Sequence, residues 1–519
     1  MASQIDDQIH ADGREALERA DLLRPGMIIG GEEVEAASGE RLTVVNPATG
    51  RAIAEVPAGG AEDVDRAVRA AKTAFDEGPW PHLDGFERSR LMNRFADLID
   101  DRLEQLYVLE TLNNGRPVVE TRAQLARLAE WYRYAAALIL AQRDSVLPAK
   151  GNYVTYLERK PLGVCGLLTP FNHPMLILAQ SLSGALAAGN TVVIKPSELT
   201  PLTTILLARI AADAGIPDGV INVVTGLGHE AGAAIAEHPH VAKVNITGGE
   251  AAGRSVAAAA ARRFAKVTTE LGGKTPVVVF DDVDLKRTVN GAAFAGFIAA
   301  GQTCICGSRM LVQERIYDEF VERLSAKAGS IRLGNPSDPA TQMGPVISRS
   351  RHENVLSYVK IGLDEGATVT VGGGVPELPA PFDGGYYVEP TVLGGVTNDM
   401  RVAQEEIFGP VVVAIPFSDE ADAIAKANDS RYGLGAAVWT GDVARAHRVA
   451  SRIESGICWI NDHHRVEPSM PWGGTKDSGV GKECGTESFD DFSAVKAVIV
   501  RTDEEGFDWY GDTAMDRLN

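Results

Sequence analysis

Four short stretches of the chain place polar or reactive residues among apolar ones. They are Thr169 to Pro174 (TPFNHP), Lys195 to Glu198 (KPSE), Glu270 to Lys274 (ELGGK) and Gly301 to Arg309 (GQTCICGSR). Three of the stretches directly follow an apolar run typical of a buried strand. Because ligands of open parallel sheets bind beyond the carboxyl ends of the strands, these positions suit one shared cleft.

Three residues in these stretches supply the groups that a cysteine enzyme acting on a carbonyl needs. Cys304 offers a nucleophilic thiol, Asn172 offers a donor for the oxyanion formed on attack, and Glu270 offers a base that activates water. Each also has an ordinary structural alternative: a core cysteine, a turn-capping asparagine or a solvated strand end. Cys304, however, lies among glycines and small polar residues that provide little apolar bulk for packing.

The composition excludes several other classes of function. The chain has 519 residues, with 50 Lys and Arg against 70 Asp and Glu, a formal net charge of −20 and 45% hydrophobic residues. This length corresponds to roughly two to four globular domains. An acidic chain repels phosphate backbones and anionic membrane surfaces, so we expect no nucleic-acid partner and no membrane partner.

The N-terminal region and the absence of long apolar runs predict a cytoplasmic protein. No run approaches the roughly 18 uninterrupted apolar residues of a transmembrane helix. The first 24 residues contain six acids, whereas a signal or transit peptide is apolar or basic.

The cysteine content predicts free thiols and no metal site. The five cysteines, Cys165, Cys304, Cys306, Cys458 and Cys484, are an odd number in a large chain, which is typical of a reducing compartment. The pair at 304 and 306 lacks the second Cys or His pair that a zinc site needs. Two roles stay open for Cys306, which could fill space in the core or form a reversible disulfide with oxidised Cys304.

Apolar periodicity predicts an α/β protein. Helical patterns cover residues 62–78, about 87–113 and 121–143, so the opening third is expected to be largely helical. From Gly163 onward, short apolar runs alternate with helical segments, which indicates right-handed crossovers and a parallel sheet covered by helices. A second series of this kind follows residue 273 and extends to about Asn461. Two α/β domains are the simplest partition, and the layout suits nucleotide binding.

Segments outside these two series predict an arm and two solvated termini. Residues 153–160 (YVTYLERK) and 494–501 (AVKAVIVR) are strand-like. Paired, they would form either an arm that augments a partner's sheet or an ordinary surface hairpin. The first two dozen residues and the last 18 are charge-biased and are expected to pack little.

Five motifs in consistent order resemble those of the NAD(P)-dependent aldehyde dehydrogenase superfamily. They are KPSE, ELGGK, GQTCICGSR, EEIFGPV at residues 405–411 and PWGGTKDSGVGKE at residues 471–483. The resemblance extends from about Pro25 to Arg501 and implies an α/β fold with a Rossmann-type cofactor domain, an α/β catalytic domain and a small β oligomerisation arm. The expected bounds are 25–143 and 162–272 for the NAD-binding domain, 273–485 for the catalytic domain, 144–161 and 486–502 for the arm, and 1–24 and 503–519 for the termini.

The resemblance implies a role for each candidate catalytic residue. Cys304 is expected to be the nucleophile, with its thiolate fraction raised by its surroundings. Asn172 is expected to donate to the oxyanion beside the main-chain N–H of Cys304, Glu270 to be the general base and Glu483 to relay its proton. A glutamate at position 270 favours hydrolysis to a free acid over transfer to coenzyme A.

The resemblance also implies a set of cofactor residues. Lys195 and Glu198 are expected to bind the adenosine ribose, and Glu406 the nicotinamide ribose. A carboxylate at 198 would repel a 2′-phosphate, so NAD is favoured over NADP. The other residues expected at the cofactor are Thr169, Phe171, Gly228, Thr247, Gly248, Gly249, Leu271 and Phe408.

The implied substrate tunnel is largely apolar. The residues expected to line it are Phe171, His173, Met175, Phe297, Ile305, Val466 and Trp472. Such a lining suits an aromatic or medium-length aliphatic aldehyde. Arg465 would instead favour a carboxylate-bearing semialdehyde, unless it pairs with Asp462 or Glu467.

The expected activity is therefore NAD-dependent oxidation of an aldehyde to its acid by a homodimer or homotetramer. Two classes of alternative stay open. One is a non-catalytic structural or ligand-storage protein of the same fold. The other is a thiol esterase that uses Cys304 without a cofactor.

Overall fold

The protein is built from two large sheets, each flanked by helices, and smaller sheets beside them. The computed structural model describes residues 14–503 and residue 510. The strands are β1 (Met27–Ile29), β2 (Glu32–Val34), β3 (Arg41–Asn46), β4 (Arg51–Pro57), β5 (Val146–Leu147), β6 (Tyr153–Pro161), β7 (Val164–Leu168), β8 (Thr191–Lys195), β9 (Ile221–Val223), β10 (Val241–Thr247), β11 (Lys266–Glu270), β12 (Pro276–Val279), β13 (Arg309–Gln313), β14 (Thr368–Val371), β15 (Thr391–Gly394), β16 (Val411–Phe417), β17 (Tyr432–Gly433), β18 (Gly435–Trp439), β19 (Ile457–Ile460), β20 (Thr475–Lys476), β21 (Gly479–Val480) and β22 (Ser493–Arg501).

The helices form where apolar residues recur at helical spacing, and several begin at a capping side chain. Asp84, Asp284 and Ser348 each accept a backbone N–H of the first helical turn. The helices are α1 (Ala61–Asp76), α2 (Gly85–Asp101), α3 (Leu103–Asn114), α4 (Val118–Leu125), α5 (Leu128–Ala141), α6 (Pro174–Ala187), α7 (Leu202–Asp213), α8 (Ala233–Glu237), α9 (Glu250–Ala261), α10 (Leu285–Phe297), α11 (Tyr317–Gly329), α12 (Arg349–Asp364), α13 (Arg401–Gln404), α14 (Glu420–Asn428), α15 (Val443–Ala450) and α16 (Gly485–Asp491).

The first large sheet has a parallel centre and antiparallel edges. Its strand order is β2-β1-β9-β8-β7-β10-β11-β21, and the five strands from β9 to β11 are parallel. Strands β7 and β8 are buried along their whole length, since both faces of the sheet are covered by helices. This confirms the predicted parallel sheet. The antiparallel edges, formed by β1 with β2 and by β21, were not predicted.

The second large sheet is joined to the first by a segment that carries candidate residues. Its order is β14-β15-β16-β13-β12-β18-β19, and only β14 is antiparallel to its neighbour within the described sheet. Residues 271–275 connect the carboxyl end of β11 in the first sheet directly to β12 in the second. The segment that contains Cys304 precedes β13, and residues 405–410 precede β16. The candidate residues therefore meet where the carboxyl edge of one sheet faces the amino edge of the other.

A three-stranded sheet joins distant parts of the chain. Strand β6 pairs antiparallel with β22, from Tyr153 opposite Arg501 to Pro161 opposite Ser493, and β5 extends the sheet on the other side of β6. The pairing of the two strand-like segments is as predicted, and their separation in sequence shows that they are not a local hairpin. The sheet exposes Val154, Tyr156 and Ile499.

The N-terminal region packs more than its composition predicted. Leu17 is 2% exposed and Leu22 fully buried, and both belong to the hydrophobic core. The expectation of a solvated arm is therefore wrong for residues 14–24, because these leucines bury apolar surface. Residues 1–13, 504–509 and 511–519 lie outside the described residues. Within the described part of the chain, no helix is both long and apolar enough to cross a bilayer.

Candidate active site

A strained turn delivers Cys304 from the end of α10. Ala299 and Ala300 have φ angles of 53° and 52°, and Gly301 continues at 69°. Left-handed backbone costs an L-residue roughly 1–2 kcal/mol, so two consecutive alanines need support from their surroundings. Part of that support is Gln302, whose amide nitrogen donates to the Ala299 carbonyl at 3.2 Å and whose amide oxygen accepts the Ile347 N–H at 3.0 Å.

Cys304 is half-buried and lines a large cavity. Burial raises the pKa of its thiol, and the negative charges of Glu406 and Glu270 raise it further. The expectation that the surroundings increase the thiolate fraction is therefore wrong for this structure. The sequence shows small neighbours around Cys304, but not the two carboxylates that the fold brings close to it. The thiol must lose its proton as part of the reaction.

Asn172 lies against the nucleophile segment. Its side-chain nitrogen donates to the carbonyl of Gln302 at 2.9 Å, two residues before Cys304. Asn114, at the end of α3, holds the loop from the other side by donating to the carbonyls of Phe171 at 2.6 Å and Asn172 at 3.2 Å. A primary amide carries two N–H groups, so the second remains available to an oxyanion on Cys304.

Glu270 and Glu483 form a buried pair of carboxylates. Neither carboxylate oxygen of Glu270 has a hydrogen-bond partner within residues 14–503. Burial raises the pKa of Glu270 well above its usual range, and the charge of Glu483 adds to this. Burial also raises the pKa of Glu483 to about 7, although Asn245 donates to it at 2.6 Å. Gly473 leaves room for the base, since a Cβ there would lie 2.6 Å from Glu270 Oε1.

Several residues expected at the cofactor lie at the carboxyl ends of β8 and β10, on a surface that we call the groove. Lys195 donates to Glu198 at 3.1 Å, and the buried hydroxyl of Thr169 has no partner among the described residues. A Cβ built on Gly228 or Gly249 would meet nothing within 4 Å, so the space above them is open. Gly249 caps α9, whose first-turn N–H groups suit a pyrophosphate.

Three other residues expected at the cofactor have partners within the protein. The Gly248 N–H donates to the Glu270 carbonyl at 3.0 Å, and the Leu271 N–H donates to the Ser478 carbonyl at 2.9 Å. Thr247 ends β10 as the register partner of Glu270. These contacts hold Glu270 against the groove.

Glu406 and two aromatic rings close the groove near Cys304. Glu406 accepts the Gly273 N–H at 3.0 Å, and burial raises its pKa to about 7. Phe171 and Phe408 meet edge to face with ring centroids 5.7 Å apart, and Arg351 lies 5.5 Å from the Phe408 ring. A carboxylate held in this way can accept hydrogen bonds from ribose hydroxyls.

The cavity in front of Cys304 has a volume of about 780 Å³. Of the residues expected in the substrate tunnel, those that line it are His173, Phe297, Ile305, Val466 and Trp472. Met175, on α6, does not line the cavity, because its side chain is fully buried in the hydrophobic core. Phe171 is also absent from the lining and packs on Phe408 instead.

Helices α4 and α5 contribute a wall that the sequence did not indicate. The lining residues that were missed include Arg116, Glu120, Gln124, Trp131, Gln180, Asn290, Phe294, His463 and His464. Helical periodicity shows which face of α4 and α5 is buried, but it does not tell whether that face meets core or cavity.

The three imidazoles that line the cavity are neutral, and Arg465 is paired. Burial lowers the pKa of His173 and of His463 well below the usual range and that of His464 to about 4, so these imidazoles are neutral at pH 7. Arg465 pairs with Glu467, as one of the two alternatives predicted. This pairing weakens the argument for a carboxylate-bearing substrate.

Cys306 is directed away from the cavity. Its thiol donates to the Gly296 carbonyl at 3.2 Å and is buried, and burial raises its pKa to about 12. These contacts favour packing over redox protection of Cys304. All five cysteines are free, and no cluster of three or more potential metal ligands occurs in the region that the structure describes.

Comparison with known proteins assigns the family. The sequence model of the aldehyde dehydrogenase family matches residues 34–498. The chain belongs to the aldehyde dehydrogenase family. Its relatives include aldehyde dehydrogenase family 2 member B4, mitochondrial, of Arabidopsis thaliana, which is 42% identical over 475 residues and aligned over 91% of this chain and 87% of its own length. Phenylacetaldehyde dehydrogenase of Pseudomonas fluorescens is 40% identical over 482 residues, covering 91% of this chain and 95% of the relative.

Solved aldehyde dehydrogenases share this fold along nearly the whole chain. Betaine aldehyde dehydrogenase of Staphylococcus aureus in complex with NAD+ superposes with a TM-score of 0.94 at 37% identity, covering 96% of this chain and 99% of the other. NAD-dependent aldehyde dehydrogenase of Sinorhizobium meliloti gives a TM-score of 0.91 at 41% identity, covering 94% and 96%. The α/β fold expected from the resemblance is thus confirmed.

Proposed function

We propose that this aldehyde dehydrogenase uses NAD to oxidise an aldehyde to the carboxylic acid, with Cys304 as nucleophile and Glu270 as general base. The observation that carries the proposal is the meeting of three groups around Cys304. Cys304 lines the cavity, Asn172 bonds to its segment through Gln302, and Glu270 lies close enough to influence the pKa of Cys304. The family assignment makes a non-catalytic storage protein a poor alternative, since the nucleophile and the base are both present.

In the acylation step, the sulfur of Cys304 bonds to the aldehyde carbon, and the thiol proton passes to solvent water. The carbonyl oxygen becomes an oxyanion, which accepts hydrogen bonds from Asn172 and from the main-chain N–H of Cys304. One such donor contributes about 3–4 kcal/mol to the transition state. Bound NAD would supply the hydride acceptor, and loss of the hydride from the adduct would leave the acyl group on Cys304 as a thioester.

In the hydrolytic step, Glu270 removes a proton from a water molecule that attacks the thioester. The thiol of Cys304 is released and the acid leaves. Only ionised Glu270 can accept the proton, so its raised pKa makes this step slower at acidic pH. Glu483, beside Glu270 and bonded to Asn245, can receive the proton next.

The residues of the groove fit NAD. The hydroxyl of Thr169, which has no partner among the described residues, and the half-buried carboxylate of Glu406 would provide polar contacts to a dinucleotide, and the space above Gly228 and Gly249 is open. Glu198, paired with Lys195, would supply a carboxylate to the adenosine ribose. A carboxylate repels a 2′-phosphate, which favours NAD over NADP.

The cavity supports an apolar substrate, aromatic or of medium aliphatic length. Four large aromatic side chains, those of Trp131, Phe294, Phe297 and Trp472, line it. Its buried imidazoles are neutral at pH 7, and Arg465 is already paired. A substrate carboxylate would therefore pass from water into the cavity at a desolvation cost that an ion pair with Arg465 does not offset.

A screen of aldehydes tests this proposal. With NADH absorbance as readout, we expect phenylacetaldehyde and hexanal to give kcat/KM values at least about tenfold above that of succinic semialdehyde, which corresponds to about 1.4 kcal/mol. NAD should be preferred to NADP in a parallel series. Activity with none of the aldehydes would refute the proposal, and a preference for the semialdehyde would refute the substrate class.

The charge of Glu483 should control the pH dependence of hydrolysis. Glu483→Gln removes a negative charge that raises the pKa of Glu270, so the base stays ionised at lower pH. We expect the pH below which the steady-state rate falls, the acid limb of the profile, to be lower in this variant. The rate is measured under conditions where hydrolysis limits turnover. Glu487→Gln, an exposed substitution on α16, is the matched control. An acid limb that does not move would contradict the coupling.

We also infer that the three-stranded sheet joins copies of this chain. Its apolar side chains Val154, Tyr156, Val495 and Ile499 are exposed, and burial in a homodimer or homotetramer would remove them from water.

The five free cysteines suit a reducing compartment, which supports a cytoplasmic location.

A further inference from the structure

A buried ion pair connects α4 to the strained turn before Cys304. The backbone N–H of Ala299 donates a hydrogen bond to Oε2 of Glu120 at 3.1 Å. Nε of Arg116 donates to Oε1 of the same carboxylate at 2.6 Å. One carboxylate therefore holds both the turn and the guanidinium. An ionised acceptor makes such a bond to a backbone N–H stronger than a neutral one would.

Arg116 is itself held in place. Its side chain is 2% exposed, and Nη1 donates to Glu110 at 3.1 Å and to Gln124 at 2.9 Å. Gln124 in turn lies 3.1 Å from Nδ1 of His173, the residue after Asn172. The network thus touches the loops of both the nucleophile and the oxyanion donor.

The turn needs this contact because of its sequence. Ala299 and Ala300 adopt left-handed backbone, which glycine tolerates and alanine disfavours. The contacts from Gln302 reach the carbonyl of Ala299 and leave its N–H to another partner. Glu120 is that partner, and it comes from an element distant in sequence.

We propose that Glu120, fixed by Arg116, is a positioning residue that keeps Ala299 and Ala300 in the left-handed conformation and thereby places Cys304 for attack. The inference rests on the proposed function for its effect on turnover. It acts through the backbone, and it requires no contact between Glu120 and the substrate, although Glu120 also lines the cavity.

Two variants of Glu120 separate the contact from the charge. Glu120→Ala removes the acceptor, so we expect hydrogen exchange of the Ala299 amide to become at least about tenfold faster and kcat to fall at least about tenfold. KM should stay within about threefold for acetaldehyde and phenylacetaldehyde alike, because a misplaced thiol slows every substrate. Glu120→Gln keeps an oxygen acceptor and should retain most of the protection and of kcat. Glu104→Ala, an exposed carboxylate on α3, is the control.

A second substitution tests the role of the backbone. Ala299→Gly relieves the left-handed strain, so the loss of Glu120 should matter less in this background. We expect the fold-loss of kcat caused by Glu120→Ala to be at least about three times smaller in Ala299→Gly than in the wild type. Unchanged exchange at Ala299 in Glu120→Ala would overturn the proposal. So would equal losses in the two backgrounds, or a KM effect that grows with the size of the aldehyde. If the wild type oxidised no aldehyde, the proposed function would fail while the exchange measurement still decided this inference.

Discussion

Cys304→Ala is expected to lower aldehyde oxidation by at least about 10⁴-fold, the scale of loss seen when a covalent nucleophile is removed. The variant has no atom that can bond to the carbonyl carbon, so neither the tetrahedral adduct nor the thioester can form. The groove around Lys195 and Glu406 does not include the thiol, so NAD should still bind with a Kd within about threefold of the wild type, since binding contacts add independently at separate positions. Steady-state NADH formation and calorimetric titration with NAD measure the two effects.

Cys306→Ala provides the matched control for the nucleophile. Cys306 lies two residues further along, is buried, and bonds to the Gly296 carbonyl outside the cavity. Its removal should leave kcat within a few-fold of the wild type, since only one thiol is lost from packing. Substantial oxidation by Cys304→Ala, or equal losses in the two variants, would exclude Cys304 as the nucleophile.

Glu270→Gln is expected to separate the two halves of the reaction. The amide fits the space of the carboxylate but cannot accept a proton, so acylation proceeds and hydrolysis stalls. A rapid-mixing experiment should show a burst of about one NADH per active site, followed by steady turnover reduced about 10²–10⁴-fold, the usual contribution of a general base.

Two results would change the role of Glu270. Unchanged steady turnover at neutral pH would show that another group deprotonates the water. A missing burst would place Glu270 in the acylation step, where it would take the proton of Cys304. Glu487→Gln again serves as the control, since it removes a carboxylate near the end of the chain without touching the buried pair.

The sequence was informative about the fold where strands are buried on both faces. Stretches such as TVVIK, which forms β8, could only be the centre of a covered sheet. The antiparallel edges were missed because β1 and β2 have three residues each and their burial follows no regular alternation. The burial of Leu17 and Leu22 was missed because the prediction used the overall charge of the segment and not the positions of its few apolar residues.

Motifs located the candidate site, but not its electrostatics. The positions of Cys304, Glu270 and Asn172 follow from short patterns, whereas the pKa of Cys304 is raised by burial and by Glu406, which is distant in sequence. Met175 was misplaced because α6 is buried on all sides, so its sequence does not show which side meets the cavity. Glu120 gave no signal, since its importance comes from the backbone angles of Ala299.

The strand β21 has a consequence for the order in which the enzyme becomes competent during synthesis. It crosses back to pair with β11, and the same segment brings Gly473 and Glu483 to Glu270. A nascent chain that ends before this segment already contains the nucleophile, the oxyanion donor and the groove, but its base faces an unfinished wall. Such a chain lacks the wall beside Glu270, so the surroundings of Glu270 are complete only once residues 473–483 have left the ribosome.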